Sequence, residues 1–285
     1  MLANDDYEHL ARNFVGCEIK GAIFDMNPFK VPGPDGFQAL FYQRNWDLVG
    51  SKLIQLAKNA LQGKELPQSL NDTHLVLIPN VENPQNVTQL WPIGLCNVLT
   101  KVIVNWLKPI LSKLVAPTQS SFVPGRQMSD NIIIVQEVLH TMRRKQGKTG
   151  LMAVKVDVEK AYDRLRWPFI RVTLQEARLP QLMVEVIMSC ITTASFKVLW
   201  HGSLTDEFKP TRGIRQGDPL SPYIFVLCME RLSHLIEEAL GTGALVFASS
   251  GGPPLSHLFF ADDLIVFGEA TVEQALAMKL SLIHI

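Results

Sequence analysis

Apolar residues along this chain recur first at helical spacing. Leu40, Phe41, Leu48, Leu53, Leu56 and Ala60 share one face if residues 38–61 wind at the α-helical period. The same period predicts helices over 97–115 and 129–146. The second opens on Ser129 or Asp130, whose side-chain oxygen can take up a free N–H of the first turn. Further helices are expected over 168–178, 181–193, 219–240 and 272–282. Pro219 and Pro222 lie at the start of the long one, where a missing N–H costs little. Elsewhere the period changes to two. Met152, Val154, Val156 and Val158 alternate with Ala153, Lys155 and Asp157, which predicts a strand with one apolar face and Asp157 near the end of the other. Thr73–Pro79 and Ser195–His201 read as short strands, the first closed by proline. Residues 256–260 and 264–267 read as two strands joined by Asp262-Asp263. Residues 27–36 hold three prolines and two glycines and read as a loop. The order of elements is α+β, with no internal repeat.

Composition bounds this picture. At 285 residues and 31.9 kDa the chain suits one lobed unit or two intimate subdomains. Hydrophobic residues at 47% and charged residues at 19% exclude a disordered or fibrous chain. The 27 basic and 27 acidic residues cancel, whereas a free-standing domain that lives on a nucleic-acid backbone is usually basic. Residues 1–150 carry 15 basic and 12 acidic side chains and the remainder 12 and 15, so the surplus carboxylates lie in the second half. Cys17, Cys96, Cys190 and Cys228 are far apart in apolar contexts, which suggests neither zinc nor disulfides. They read as reduced core residues of an intracellular protein, nuclear or cytoplasmic. No secretory signal opens the chain. The most apolar window, Tyr223–Met229, is seven residues long against the roughly 20 of a membrane span, so no membrane partner is expected.

Three places can carry chemistry. Asp262-Asp263 sits where a two-residue hairpin turn favours Asn-Gly or Asp-Gly, and two adjacent carboxylates there repel each other. A divalent cation would offset that repulsion, although a solvated acidic turn is the commoner outcome for the pair alone. Asp157 ends the polar face of its strand. If the two strands are neighbours, three carboxylates meet, and such a group can hold two Mg²⁺ ions for phosphoryl transfer. The loop Arg212-Gly213-Ile214-Arg215-Gln216-Gly217-Asp218 runs into a helix start, combining glycines that admit close approach with arginines that bind phosphate. Alone, it reads equally as a glycine-rich connection with solvated arginines.

Taken in order, several segments resemble one family. They are Gly33-Pro34-Asp35-Gly36-Phe37, Pro92-Ile93-Gly94-Leu95-Cys96-Asn97-Val98 and Gln119-Ser120-Ser121-Phe122-Val123-Pro124-Gly125-Arg126. Asp157-Val158-Glu159-Lys160-Ala161-Tyr162-Asp163, the Arg212–Pro222 loop and Phe260-Ala261-Asp262-Asp263 follow. The set resembles the reverse transcriptase of LINE-type (non-long-terminal-repeat) retrotransposons, especially those of plant genomes. The resemblance implies a right-hand polymerase with a small antiparallel palm sheet flanked by helices. Residues 1–30 would be an N-terminal extension, 31–150 a fingers-like subdomain and 151–285 a palm interleaved with it. The implied activity is RNA-directed DNA polymerisation, with two Mg²⁺ (or Mn²⁺) as cofactor and with RNA template, DNA primer and dNTP as partners. Asp157, Asp262 and Asp263 correspond to the catalytic, metal-binding aspartates, joined by the backbone carbonyl of Val158. Tyr162 falls where an aromatic lies under the incoming sugar and excludes a 2′-OH; a core tyrosine is the other reading. Arg215, Gln216 and Gly217 would line the nucleotide pocket. Arg126 and Arg212 would meet nucleic acid, Arg126 being equally readable as a solvated loop arginine.

The sequence also departs from the family. Asn80 and Trp91 stand where relatives read Lys and Arg, the two finger cations expected on the triphosphate. The chain ends soon after the aspartate hairpin, without the basic thumb the family implies. The expectation is a truncated or decayed polymerase, the alternative an inactive nucleic-acid-binding remnant. Another palm enzyme that uses ribonucleotides is disfavoured by Tyr162.

Overall fold

Residues 38–61 carry one continuous helical period, yet the chain folds them as two helices. Asn45 makes the break. Its side-chain amide donates to the Phe41 carbonyl at 2.8 Å, competing with the helix's own donors, and its φ of −105° and ψ of 25° leave the helical region. The structure, a computed structural model, describes residues 2–30, 36–64, 71–79, 82, 90–94, 98–144, 149–200, 202–241 and 255–282. In chain order the elements begin with α1 (Asn4–Ala11), α2 (Gly16–Phe24), α3 (Ala39–Arg44), α4 (Trp46–Leu61), β1 (Asp72–Pro79), β2 (Leu90–Gly94), α5 (Val98–Leu114) and α6 (Met128–Arg144). Next come β3 (Leu151–Asp157), α7 (Ala161–Arg164), α8 (Trp167–Glu176), α9 (Gln181–Thr192), β4 (Ser195–Trp200) and β5 (Ser203–Leu204). The last are α10 (Ser221–Gly241), β6 (His257–Phe260), β7 (Asp263–Glu269) and α11 (Val272–Leu282). They fall into two compact units: Met1–Ile110 with Tyr162–Ile224, and Leu111–Ala161 with Phe225–Ile285.

The first unit holds a four-stranded sheet ordered β2-β1-β4-β5. β1 pairs antiparallel with β2, from Leu75 opposite Gly94 to Pro79 opposite Leu90, and parallel with β4, from Asp72 beside Ser195 to Val76 beside Leu199. The sequence gives no strand signal at β2 because Pro92 removes a ladder donor. β2 is an edge strand, where that loss is tolerated. α9 is apolar almost all round, and Met183, Val184, Val186, Ile187, Cys190 and Ile191 are buried. The side-chain amide of Asn71 donates to the Cys190 carbonyl at 2.8 Å, tying the start of β1 to the end of α9. Trp106 on α5 stacks on Phe14, donates to Glu18 at 3.1 Å and lies under the Arg12 guanidinium, which packs α1 and α2 onto it.

The second unit is built on a three-stranded antiparallel sheet, β3-β7-β6, with β7 in the middle. β3 shows the alternation expected of it: Ala153, Lys155 and Asp157 are exposed while their neighbours are half-buried. In β7, Leu264, Val266 and Phe267 are buried, and the apolar window of α10 supplies Phe225–Met229 as core. Among the described residues no helix is long and apolar enough to cross a membrane.

Two expectations are corrected here. The hairpin turn is Ala261-Asp262, not Asp262-Asp263; Asp263 is the first residue of β7, paired with Phe260. Cys17 is exposed on α2, because Ile19, Ala22 and Ile23 occupy that helix's buried face. Cys190 and Cys228 are buried as expected, and Cys96 lies outside the described residues, as do 31–35 of the loop and His201.

Candidate active site

Strand register brings the carboxylates together. Asp157 is the Cα partner of Asp263 across β3 and β7, and Asp262 immediately precedes Asp263 in the turn. Antiparallel partners project to the same face, so Asp157 and Asp263 share one face with Lys155, two residues back on β3. The Lys155 ammonium pairs with Asp263 Oδ1 at 2.9 Å. That hydrogen bond and charge first, then the charges of Asp157 and Asp262, hold its pKa above the usual lysine value. Three carboxylates therefore act on one cation. Lys155 had no assigned role, though its place two residues before Asp157 on an alternating strand put it on this face.

Of the other predicted residues, Val158 and Arg126 lie in the second unit, and Tyr162, Arg212, Arg215, Gln216 and Gly217 in the first. Gly213 adopts a left-handed φ of 87°, its N–H donates to the Leu165 carbonyl at 2.7 Å, and the Ile214 N–H donates to the Tyr162 carbonyl at 3.0 Å. A Cβ on Gly213 would stand 3.1 Å from the Asp163 backbone, so this close approach requires glycine. The loop is thereby clipped to the backbone of α7, which carries Tyr162. A cavity of about 410 Å³ lies in this unit, lined by Arg212, Gln216, Ile214, Phe208 and Val198 among others. Gly217 is exposed with φ of 91°, and Arg212 is exposed.

Arg215 differs from its expected place. Its guanidinium is turned inward, donating to Asn71 at 2.8 Å, Thr73 at 3.0 Å and the Cys190 carbonyl at 3.3 Å. It also pairs with Asp218 at 2.7 Å, both side chains more than nine-tenths buried. Asp218 in turn accepts the Leu220 N–H at 2.9 Å, ahead of α10. The arginine's donors are used to fix the loop to β1 and α9. Arg126 is likewise committed. It donates to the Ser112 carbonyl in the last turn of α5 at 3.4 Å and to the carbonyls of Val115, Ala116 and Gln119 just beyond it, stapling the end of α5 to the loop that follows. It is neither a solvated loop arginine nor free for a phosphate. Trp91 stands on β2 opposite Ile78, and Asn80 lies outside the described residues.

The sequence profile of the family described as reverse transcriptase (RNA-dependent DNA polymerase) matches residues 83–283. The chain belongs to the reverse transcriptase family. Among curated proteins, it is 30% identical over 262 residues to the transposon TX1 uncharacterized 149 kDa protein of Xenopus laevis, covering 90% of this chain and 20% of that protein. It is 29% identical over 240 residues to the retrovirus-related Pol polyprotein from the type-2 retrotransposable element R2DM of Drosophila melanogaster, covering 84% and 22% respectively. The chain thus spans about a fifth of the length of these retrotransposon proteins. Its fold is similar to that of apo telomerase from Candida tropicalis, with a TM-score of 0.52 at 15% identity over 86% of this chain and 52% of that one. It is a reverse transcriptase domain of the non-LTR retrotransposon kind, with a polymerase's fingers-and-palm fold.

Reverse transcriptases generally use divalent metal ions, and the donors here suit one chemically: oxygen ligands on a shared face, in a turn and at strand ends. Among the described residues, no three His, Cys, Asp or Glu side chains are grouped closely enough to hold an ion as they stand. Asp263 is turned to Lys155 instead. A bound cation would take over the charge that the ammonium now balances.

Proposed function

We propose that this chain performs RNA-directed DNA synthesis, extending a DNA primer on an RNA template with dNTPs. The observation that carries the reading is the register of Asp157 opposite Asp263, with Asp262 beside it, on an exposed sheet face. Asp157, Asp262, Asp263 and the Val158 carbonyl would hold two Mg²⁺, for which Mn²⁺ can substitute. Those ions supply charge stabilisation to the attacking and leaving oxygens of the transfer. Tyr162 excludes a ribose 2′-OH, and Gln216 and Gly217 line the nucleotide's place. Arg212, exposed, meets nucleic-acid phosphate. Arg215 holds the loop that presents these residues, through Asn71, Thr73 and Asp218. Residues 31–150 act as fingers and 151–285 as palm.

Primer extension on an RNA template with Mg²⁺ tests this. Wild-type chain should extend, D157N should not, and dNTPs should be used in preference to NTPs. Extension by D157N at the wild-type rate would remove Asp157 from the chemistry. A second reading, nucleic-acid binding without synthesis, is favoured by Asn80 and Trp91 in place of the expected finger cations. It predicts template binding by the wild-type chain with no extension in Mg²⁺ or Mn²⁺.

A further inference from the structure

Gln119 belongs to the second unit, is 2% exposed, and its side-chain oxygen accepts two backbone N–H groups: Ser121 at 2.9 Å and Ala261 at 3.2 Å. Ala261 is the turn residue before Asp262, and its φ of 54° is left-handed. A residue with a Cβ is rarely found there, and such a backbone persists where its surroundings over-determine it. The surroundings do so here. Gln119 bridges to Phe259 on the edge of β6; the Phe259 N–H donates to Thr118 and the Ser120 N–H to the Phe259 carbonyl. Asn131 on α6 donates to the same Phe259 carbonyl at 2.8 Å, and Arg126 donates to the Gln119 carbonyl at 2.6 Å. The backbone of Gln119 is fixed on both sides, and its side chain reaches on to the turn.

The other half of that side chain gives the independent sign. Two N–H donors dictate that the oxygen faces Ser121 and Ala261, and this leaves Nε2 buried without a partner. An unpaired buried donor is destabilising. Methionine or leucine would fill the space without that cost, but neither could accept the Ala261 N–H. We infer that Gln119 is a positioning residue, holding the strained Ala261 turn so that Asp262 and Asp263 are presented together with Asp157. The inference rests on the metal-binding role proposed for those aspartates.

Two variants test it in the full chain. Q119M keeps the volume and removes the acceptor; Q119E keeps oxygens toward the same two N–H groups. By NMR on metal-free protein, well below the melting temperature, amide exchange at Ala261 should be about tenfold faster in Q119M. It should return to near the wild-type rate in Q119E, with the centre of β7 unchanged in both. Mn²⁺, added as the probe, should broaden signals at residues 157, 262 and 263, at several-fold higher concentration for Q119M than for wild type or Q119E. If Q119M does not fold, Q119N serves, its amide being one methylene too short to meet both donors. Unchanged exchange at Ala261 overturns the hold. Faster exchange with unchanged Mn²⁺ affinity overturns the positioning role and leaves a merely structural bond. Absence of any Mn²⁺ effect in the wild-type chain overturns the metal site and the inference with it. The Ala261 comparison then distinguishes that failure from a failure of the Gln119 bond.

Discussion

Arginine direction is decided by which acceptors lie within reach. Arg126 follows a helix end whose last carbonyls lack intrahelical partners, and it takes four carbonyls there, Ser112 in the last turn and Val115, Ala116 and Gln119 beyond it. Arg215 stands three residues before Asp218 and faces the side chains of Asn71 and Thr73. The phosphate reading of Arg215 came from its loop; those partners, roughly 140 residues away in sequence, are invisible there. R215M leaves Asp218 buried and uncompensated, which should lower stability by about 3 kcal/mol. R215K should not rescue it, because an ammonium cannot serve the forked set of acceptors. R215M/D218N should lose less than R215M alone, since the stranded charge is then gone. Urea unfolding followed by tryptophan fluorescence reads this. Equal midpoints for R215M and wild type would show that the buried pair contributes nothing.

At the scale of elements, the loop between β5 and α10 depends on Gly213. Its left-handed φ of 87° strains any residue with a Cβ, and a Cβ there would press on the Asp163 backbone at 3.1 Å. G213A should cost about 2 kcal/mol through backbone strain, and should free the Ile214 amide from the Tyr162 carbonyl. Faster exchange of Ile214 in G213A, beside a lowered melting temperature, is the expected result; an unshifted melt would remove the strain argument. How much of the fold was legible follows from element length. α5, α6, α9, α10 and β3 carry enough turns or alternations to announce themselves, and the structure ends them within two residues of expectation. β2 and β5 are too short, or too proline-bearing, to declare a strand without the partner that pairs them. α1 and α2 each span about two turns. The carboxylates were legible as residue types, but their meeting depended on register. The turn's shift by one residue, with Asp263 entering β7, reflects an Ala held left-handed by a side chain 142 positions away.

For the molecule as a whole, the two units differ in what reports on them and in how they meet acid. All five tryptophans and all four tyrosines fall in the first unit, so tryptophan and tyrosine fluorescence originates there. The second unit encloses His257, fully buried, with Nε2 at 2.7 Å from Ser233 Oγ and Nδ1 at 2.7 Å from Ser256 Oγ. Burial pushes its pKa down to about 4. Unfolded, the ring titrates near 6.5 and binds a proton that the folded site refuses. Its stabilising contribution is therefore complete above pH 6.5 and is lost as pH falls from there to about 4, by about 3 kcal/mol in all. Glu230, in the same unit, runs the other way: burial raises its pKa, so its contribution is complete below 4.5 and fades as pH rises through that raised value. Far-UV circular dichroism and amide exchange in β6 and β7 should show the second unit melting progressively earlier between pH 6.5 and 4. Tryptophan fluorescence should shift less over the same range. H257N keeps a hydrogen-bonding side chain that does not titrate, so its pH profile should flatten whatever its absolute stability, with the Glu230 component left behind. A slope as steep in H257N as in wild type would mean that the acid sensitivity arises elsewhere.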